Sequence, residues 1–244
     1  MISYFPDEKL QRLGNHRFQL HRMRPGHIRP DNGGDPGLGP LGTIDQAVLI
    51  PGLLVPMHEH RNDEIVSYLW RGQMLHRDST GDSAMLGPGT VMVMNAGRGF
   101  SHEESVPGEP VEMLQIFIRP EAAGLPPELQ IDTIHWPPPD DGWRLLVGPQ
   151  GLDCPFYVRQ QIRLLDLVMH PGCVAAVPSA TGHDALVYVA TGGIAVGDRS
   201  VAARSAALVT EGEVAVLSAP VESLVVVFLI DRRAAFSRAG TLSG

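Results

Sequence analysis

The sequence predicts an all-β protein made of two related barrels, and three observations carry that reading. Twenty-seven glycines and 21 prolines among 244 residues favour many turns between short strands over long helices. Short apolar-alternating stretches follow one another from Thr43 to Arg119, at the spacing of a sandwich or barrel. The pattern then starts again: Pro51-Gly52 corresponds to Pro171-Gly172, Tyr68 to Tyr188 and Gly72 to Gly192, all at one offset of 120 residues. Matching turn glycines with matching alternation mark a duplicated unit, and the chain is long enough for each copy to bury its own core.

Taken in order, the first forty residues read as an arm that can pack on the second barrel. They are locally basic, with Lys9 (the only lysine), Arg12, Arg17, Arg22, Arg24 and Arg29 against Asp7 and Glu8. On a chain of net charge −8 such arginines are expected to pair with acidic groups at the surface for little net energy. Strands are expected over Ile44 to Ile50, Glu64 to Trp70, Gln73 to His76, Thr90 to Met94 and Val111 to Ile118. Asp78-Ser79-Thr80-Gly81-Asp82 and Gly87-Pro88-Gly89 are the strongest turns between them. These elements make residues 1–120 an N-terminal barrel. Residues 121–142, with Pro126-Pro127, Pro137-Pro138-Pro139 and Asp140-Asp141-Gly142, read as a proline-stiffened linker. Residues 143–244 form the second barrel, in which Gly212-Glu213-Val214-Ala215-Val216 is aligned with Gly89-Thr90-Val91-Met92-Val93.

Composition narrows the function classes. The negative net charge argues against a nucleic-acid or anionic-membrane surface. Cys154 and Cys173 share no metal-type spacing and do not make a secreted disulfide framework, so they are expected in the core. The longest strongly apolar run, Leu224 to Ile230, is far too short to cross a bilayer, and no charged-then-apolar leader opens the sequence. A soluble, cytoplasmic protein is expected.

The chemistry concentrates in two short motifs, His58-Glu59-His60 and His102-Glu103-Glu104. Strand side chains alternate faces with period two, so His58 and His60 share a face, and so do His102 and Glu104. Two such strands facing one interior supply three imidazoles and a carboxylate, a ligand set for one divalent transition metal with positions left open. Buried without a cation, these groups would leave several polar atoms to satisfy at considerable cost. The second copy has lost the set: at the same offset His58 becomes Pro178 and His60 becomes Ala180, and the stretch aligned with His102 and Glu104 is Val225-Val226-Val227. A second barrel without metal is therefore expected.

Other candidates receive plainer readings. His76 is expected to be a hydrogen-bonded structural residue, and His16, His21, His27, His135, His170 and His183 surface or turn histidines. Met85, Met92, Met94 and Met113 alternate with valine and leucine as core residues do. Arg98 either contacts an anionic substrate at the cavity mouth or braces the loop that delivers His102.

Gly52, His58-x-His60, Glu64 and Gly72 follow the first cupin motif with one extra residue before the last glycine. The longer runs His60-Arg61-Asn62-Asp63-Glu64-Ile65-Val66-Ser67-Tyr68, Leu75-His76-Arg77-Asp78-Ser79 and Asn95-Ala96-Gly97-Arg98-Gly99-Phe100-Ser101-His102-Glu103-Glu104 resemble pirin, the two-barrel cupin family. The resemblance implies a bicupin of two stacked jelly-roll barrels with one mononuclear metal in the first, most often Fe(II), with Mn, Ni, Cu or Zn as alternatives. Its ligands fall on His58, His60, His102 and Glu104, which leaves Glu64 a supporting role. The implied activity is quercetin 2,3-dioxygenase-like: a small flavonol-like aromatic substrate is opened with O2, Glu104 doubling as the catalytic proton acceptor. The alternative is a non-catalytic, metal- and redox-sensitive module that binds a protein partner, as for transcription cofactors in the family. Where pirins commonly carry proline between the paired histidines this chain has Glu59, whose side chain is expected to point away from the metal.

Overall fold

The computed structural model describes residues 1–140 and 142–244; Asp141, in the proline-rich segment, lies outside the described residues. The chain is all-β and divides into two compact units. One comprises Gln11–Arg24, Leu41–Trp136 and Phe236–Gly244, and is called the first barrel below; the other comprises Met1–Leu10, Pro25–Pro40 and Pro137–Ala235, the second barrel.

Among the described residues, each barrel consists of a seven-stranded and a four-stranded sheet. In the first barrel the large sheet runs in the order Glu128–Thr133, Thr90–Asn95, Glu64–Arg71, Val111–Ile118, Leu41–Leu49, Phe18–Met23, Gln11–Gly14. Its small sheet runs Leu54–His60, Phe100–Ser105, Met74–Asp78, Ser83–Leu86. Inward-facing Ile65, Leu69, Met92, Met94, Val111, Met113 and Phe117 form its core, as period-two alternation requires. Of the methionines expected in the core, Met92, Met94 and Met113 are buried, whereas Met85 is 45% exposed; it lies on Ser83–Leu86, a strand at the edge of the small sheet.

The second barrel repeats this plan. Its small sheet runs Val174–Ala176, Val216–Ser218, Gly193–Val196, Arg199–Ala202, the same strand order as the first. Both barrels use glycine at one close approach. Gly72 has φ +71° and a Cβ there would lie 2.3 Å from the Pro110 carbonyl oxygen; Gly192 has φ +77° and would meet the Glu222 carbonyl oxygen at 2.2 Å. Only a residue without Cβ fits either position.

The topology corrects the alignment beyond that glycine. Thr90–Asn95 pairs with Glu64–Arg71, and the strand holding that place beside Asp184–Thr191 is Ala206–Val209, not Gly212 to Val216. Likewise the counterpart of the His102 strand is Val216–Ser218, between Val174–Ala176 and Gly193–Val196. Val225 to Val227 instead lie in Ser223–Ile230, which pairs with Asp184–Thr191 as Val111–Ile118 pairs with Glu64–Arg71. The connections differ in length between copies, and a constant offset cannot follow them.

Two segments depart from the expected domain limits, and the N-terminal strand packs on the second barrel as expected of the arm. Residues 128–133, within the proline-rich stretch, form a strand on Thr90–Asn95; Leu129 and Ile131 pack on the core of the first barrel. Ile2–Phe5 pairs with Ala206–Val209 in the second barrel. Phe236–Gly244 belongs to the first barrel, where Asp63 accepts hydrogen bonds from the amides of Leu242 and Ser243 and from the Ser243 hydroxyl, at 2.6 Å for the last. The buried Arg119 donates to the Ser243 carbonyl at 2.9 Å. These are pairings of polar groups far apart in sequence, which no local pattern announces. Both cysteines are free and half-buried; Cys173 packs against the core of the second barrel.

Candidate metal centre

The site is built on the small sheet of the first barrel. Leu54–His60 and Phe100–Ser105 are antiparallel neighbours, with His102 directly opposite His58. Alternation then turns His58, His60, His102 and Glu104 toward one face and leaves Glu59 outside, where it accepts a hydrogen bond from Arg61 at 2.9 Å. His60 and His102 are buried, with 3% and 0% of their surface exposed, and His58 is half-buried. The three imidazoles bring one ligand atom each to within 4.8 Å of one another, with ring centroids 4.5 to 5.2 Å apart.

Two of the rings, His58 and His102, are held from behind by a hydrogen bond at Nδ1, and the Nδ1 of His60 faces a carboxylate without bonding to it. His58 Nδ1 donates to the Pro56 carbonyl at 2.9 Å. His60 Nδ1 lies 3.5 Å from Asp63 Oδ2, on the carboxylate that also grips Leu242 and Ser243. His102 Nδ1 lies 3.3 Å from Nδ1 of His76. Rear contacts of this kind fix ring orientation and tautomer and leave Nε2 for a cation. His102 Nε2 is buried with no hydrogen-bond partner.

Electrostatics agree. Burial first, and then the neighbouring His58, His60 and His76, lower the pKa of His102 to about 2; His58 is lowered chiefly by burial as well. Neutral imidazoles with available lone pairs are what a metal requires. Glu104 is pushed the other way, up to about 7, by burial, and its Oε1 has no hydrogen-bond partner. Its carboxylate stands beside the histidine triad rather than inside the 4.8 Å group, with Oε1 3.8 Å from His102 Nδ1. The pairing of Phe100–Ser105 with Leu54–His60 shifts between His102 and Glu104 through one extra residue on the latter strand, so that Glu104 opposes Val55. Converging imidazoles, an orphaned ring nitrogen and an orphaned carboxylate oxygen are a donor set that fits a divalent metal.

Sequence reasoning missed part of the site. His76 and Asp78 lie on Met74–Asp78, opposite Glu104 and His102 respectively, and their side chains are fully buried. His76 touches His102, so it is not merely a residue of the strand. The signal was present: His76-x-Asp78 has the same spacing of two as the other pairs. Glu64 is buried and accepts a hydrogen bond from Asn95 at 2.7 Å. His16, His27, His135 and His170 are exposed and His21 and His183 half-buried; Arg98 is exposed.

The fold and this donor set define a two-barrel cupin. Residues 8–118, a little under half of the chain, match the family model described as Pirin. It is 29% identical over 133 residues to the quercetin 2,3-dioxygenase of Escherichia coli K12, a match covering 52% of this chain and 55% of that protein. The chain spans about half to three fifths of the length of the curated relatives it matches first. The bacterial pirin YhhW of Escherichia coli, solved in complex with nickel(II), superimposes with a TM-score of 0.80 at 19% identity, covering 94% of this chain and 99% of that one. A quercetin 2,3-dioxygenase structure from Acinetobacter baumannii gives 0.76 at 21% identity, covering 93% and 84%. At such identities the structural likeness establishes the fold. No helix among the described residues is long and apolar enough to cross a membrane.

Proposed function

We propose that this protein is a metal-dependent dioxygenase that opens a flavonol-like aromatic enolate with O2, as the quercetin 2,3-dioxygenases it resembles are named for doing. The observation that carries the reading is the convergence of three imidazoles, two of them hydrogen-bonded through Nδ1, beside a buried carboxylate with an unpartnered oxygen. His58, His60 and His102 would hold one divalent metal, Fe(II) being the proposed native ion, with Glu104 as the fourth ligand or its immediate neighbour. When bound, such an ion supplies Lewis acidity toward a substrate hydroxyl and a redox partner for oxygen.

The remaining steps belong to the chain. Burial that raises Glu104 to about 7 gives it a proton affinity suited to taking the hydroxyl proton at Oε1 near neutral pH. The apolar side chains around the triad, among them Phe117 with its ring 6.0 Å from that of His60, exclude water and favour an aromatic substrate over a charged one. Among the described residues of the second barrel Val196 and Leu217 stand where His76 and Glu104 stand in the first, and its proposed role is structural.

Oxygen uptake by the Fe(II)-loaded protein with quercetin, followed by product mass, tests the proposal. With 18O2, both oxygen atoms are expected in the ring-opened product with one ring carbon lost as CO, and turnover per bound metal reduced about 10²-fold or more in Glu104→Gln is expected for a general base. Uptake that is absent with every flavonol and metal tried would instead favour the non-catalytic protein-binding reading. Equal turnover per bound metal in wild type and Glu104→Gln would remove the base role alone.

A further inference from the structure

The buried pair His76 and Asp78 lies on a third strand, outside the ligand set, and the mechanism above does not use it. A histidine and an aspartate with fully buried side chains need a reason to be there. Their geometry forms a line. Asp78 Oδ2 stands 3.5 Å from His76 Nε2, and His76 Nδ1 stands 3.3 Å from His102 Nδ1. The far nitrogen of His102, Nε2, is buried and unpartnered.

Proton accounting gives this line one consistent state. Two Nδ1 atoms can hydrogen-bond only if one carries the proton and the other accepts it. If Nε2 of His102 keeps its lone pair for a cation, the neutral ring must carry its proton on Nδ1. His76 must then accept at Nδ1 and carry its own proton on Nε2, whose charged neighbour is Asp78 Oδ2 at 3.5 Å, a contact longer than an ideal hydrogen bond between two atoms that have no hydrogen-bond partner. The aspartate is itself anchored: its Oδ1 accepts from the Thr80 amide at 2.8 Å, the Thr80 hydroxyl at 2.5 Å and the Asp82 amide at 3.3 Å. The turn Asp78 to Asp82 thus occupies one carboxylate oxygen and leaves the other facing His76. The second barrel supplies an internal control. Val196 holds the place of His76, since it opposes Leu217 as His76 opposes Glu104, and it is buried among apolar side chains. The imidazole at this position is therefore not a requirement of the barrel.

We infer that Asp78 and His76 are positioning residues that impose the Nδ1–H tautomer on His102 and so present its Nε2 to the metal. This rests on the metal-site reading above but assigns a role to residues that the ligand set does not include. Neither residue touches metal or substrate; each acts through the next.

Zinc, being diamagnetic, is the probe. In Zn(II)-loaded protein with 15N-labelled histidine, long-range 1H–15N spectra should show His102 protonated at Nδ1 and metal-bound at Nε2, with His76 protonated at Nε2. His76→Phe, which cannot accept a hydrogen bond, should bind zinc about 10- to 100-fold more weakly. His76→Gln, whose amide oxygen can accept from His102, should recover most of that affinity, and Asp78→Asn should fall between. A purely structural role would instead move the apoprotein melting temperature and leave zinc affinity alone. Finding the His76 proton on Nδ1, or wild-type zinc affinity in folded His76→Phe or Asp78→Asn, would overturn the inference while leaving the metal site standing. Failure of the wild type itself to bind zinc would remove both. Should His76→Phe not fold, the wild-type spectra and the other two variants still decide.

Discussion

The two barrels share strand order and the same glycine at the same backbone crossing, yet their small sheets carry opposite chemistry. On the first, His58, His60, His76, Asp78, His102 and Glu104 meet on one face. On the second, the place of Glu104 opposite Val55 is taken by Leu217 opposite Ala175, that of His76 by Val196, and Ala215, Leu217 and Val196 are buried with other apolar side chains. Among the described residues the core cluster of the second barrel is apolar, so the polar set of the first is an addition the fold does not demand. That addition has an energetic cost, because unpartnered buried nitrogen and oxygen atoms oppose folding unless something binds them.

The largest predicted effect follows from exchanging the two chemistries. His58→Ala/His60→Ala should reduce bound metal from one per chain to none by elemental analysis, with both barrels still folded by circular dichroism; a full equivalent of metal in this variant would break the assignment. Next comes a pair of opposite sign. Leu217→Glu buries a carboxylate without a partner and should destabilise the protein by about 3 kcal/mol or more without creating a metal site. Glu104→Leu removes such a carboxylate and should leave the apoprotein as stable as wild type or more stable by about 1 to 3 kcal/mol, while weakening metal binding. Denaturant unfolding of the metal-free proteins measures both, and equal losses for the two variants would contradict the contrast between barrels.

A pH series sharpens the same point. Glu104 has a folded pKa near 7, above its unfolded value, so between the two the folded state holds a proton that the unfolded state has released. Its contribution is therefore fully present below the unfolded pKa and lost as pH rises through 7. His102, lowered to about 2, acts oppositely: its neutral folded form loses stability as pH falls below the unfolded histidine pKa. The two offset each other in wild type near pH 5 to 6. The apoprotein difference, wild type minus Glu104→Gln, isolates the first effect and should fall by about 2 to 3 kcal/mol from pH 4.5 to 7.5. A flat difference would mean that Glu104 is solvated.

Much of this was legible in the sequence because period-two alternation is local: the strands, the duplication and the two ligand motifs all repeat at short, fixed spacings. Pairing between distant segments was not. The grip of Asp63 on Leu242 and Ser243, the pairing of Ile2–Phe5 with Ala206–Val209 and the strand Glu128–Thr133 depend on tertiary partners. The shift that sets Glu104 opposite Val55 is a feature of strand pairing, which alternation alone cannot forecast. His76 was legible in spacing but had no visible partner until Met74–Asp78 was seen beside Phe100–Ser105.

The smallest predicted effect lies outside the barrel. Glu59 and Arg61 form an exposed pair, with 44% and 61% of their side chains accessible, so Glu59→Ala should change stability by no more than about 0.5 kcal/mol and leave metal affinity unchanged. A loss of metal in this variant would mean that the residue between the paired histidines reaches the site after all.

The central claim, that one barrel holds a metal and its twin does not, is tested most directly by anomalous diffraction. Crystals of the metal-loaded protein, measured on either side of the metal's absorption edge, should show one strong anomalous peak per chain, among His58, His60 and His102 and adjacent to Glu104. No peak should lie near Val196, Ala215 or Leu217. The absence of density between the three imidazoles, or a peak of equal strength in the second barrel, would contradict the account.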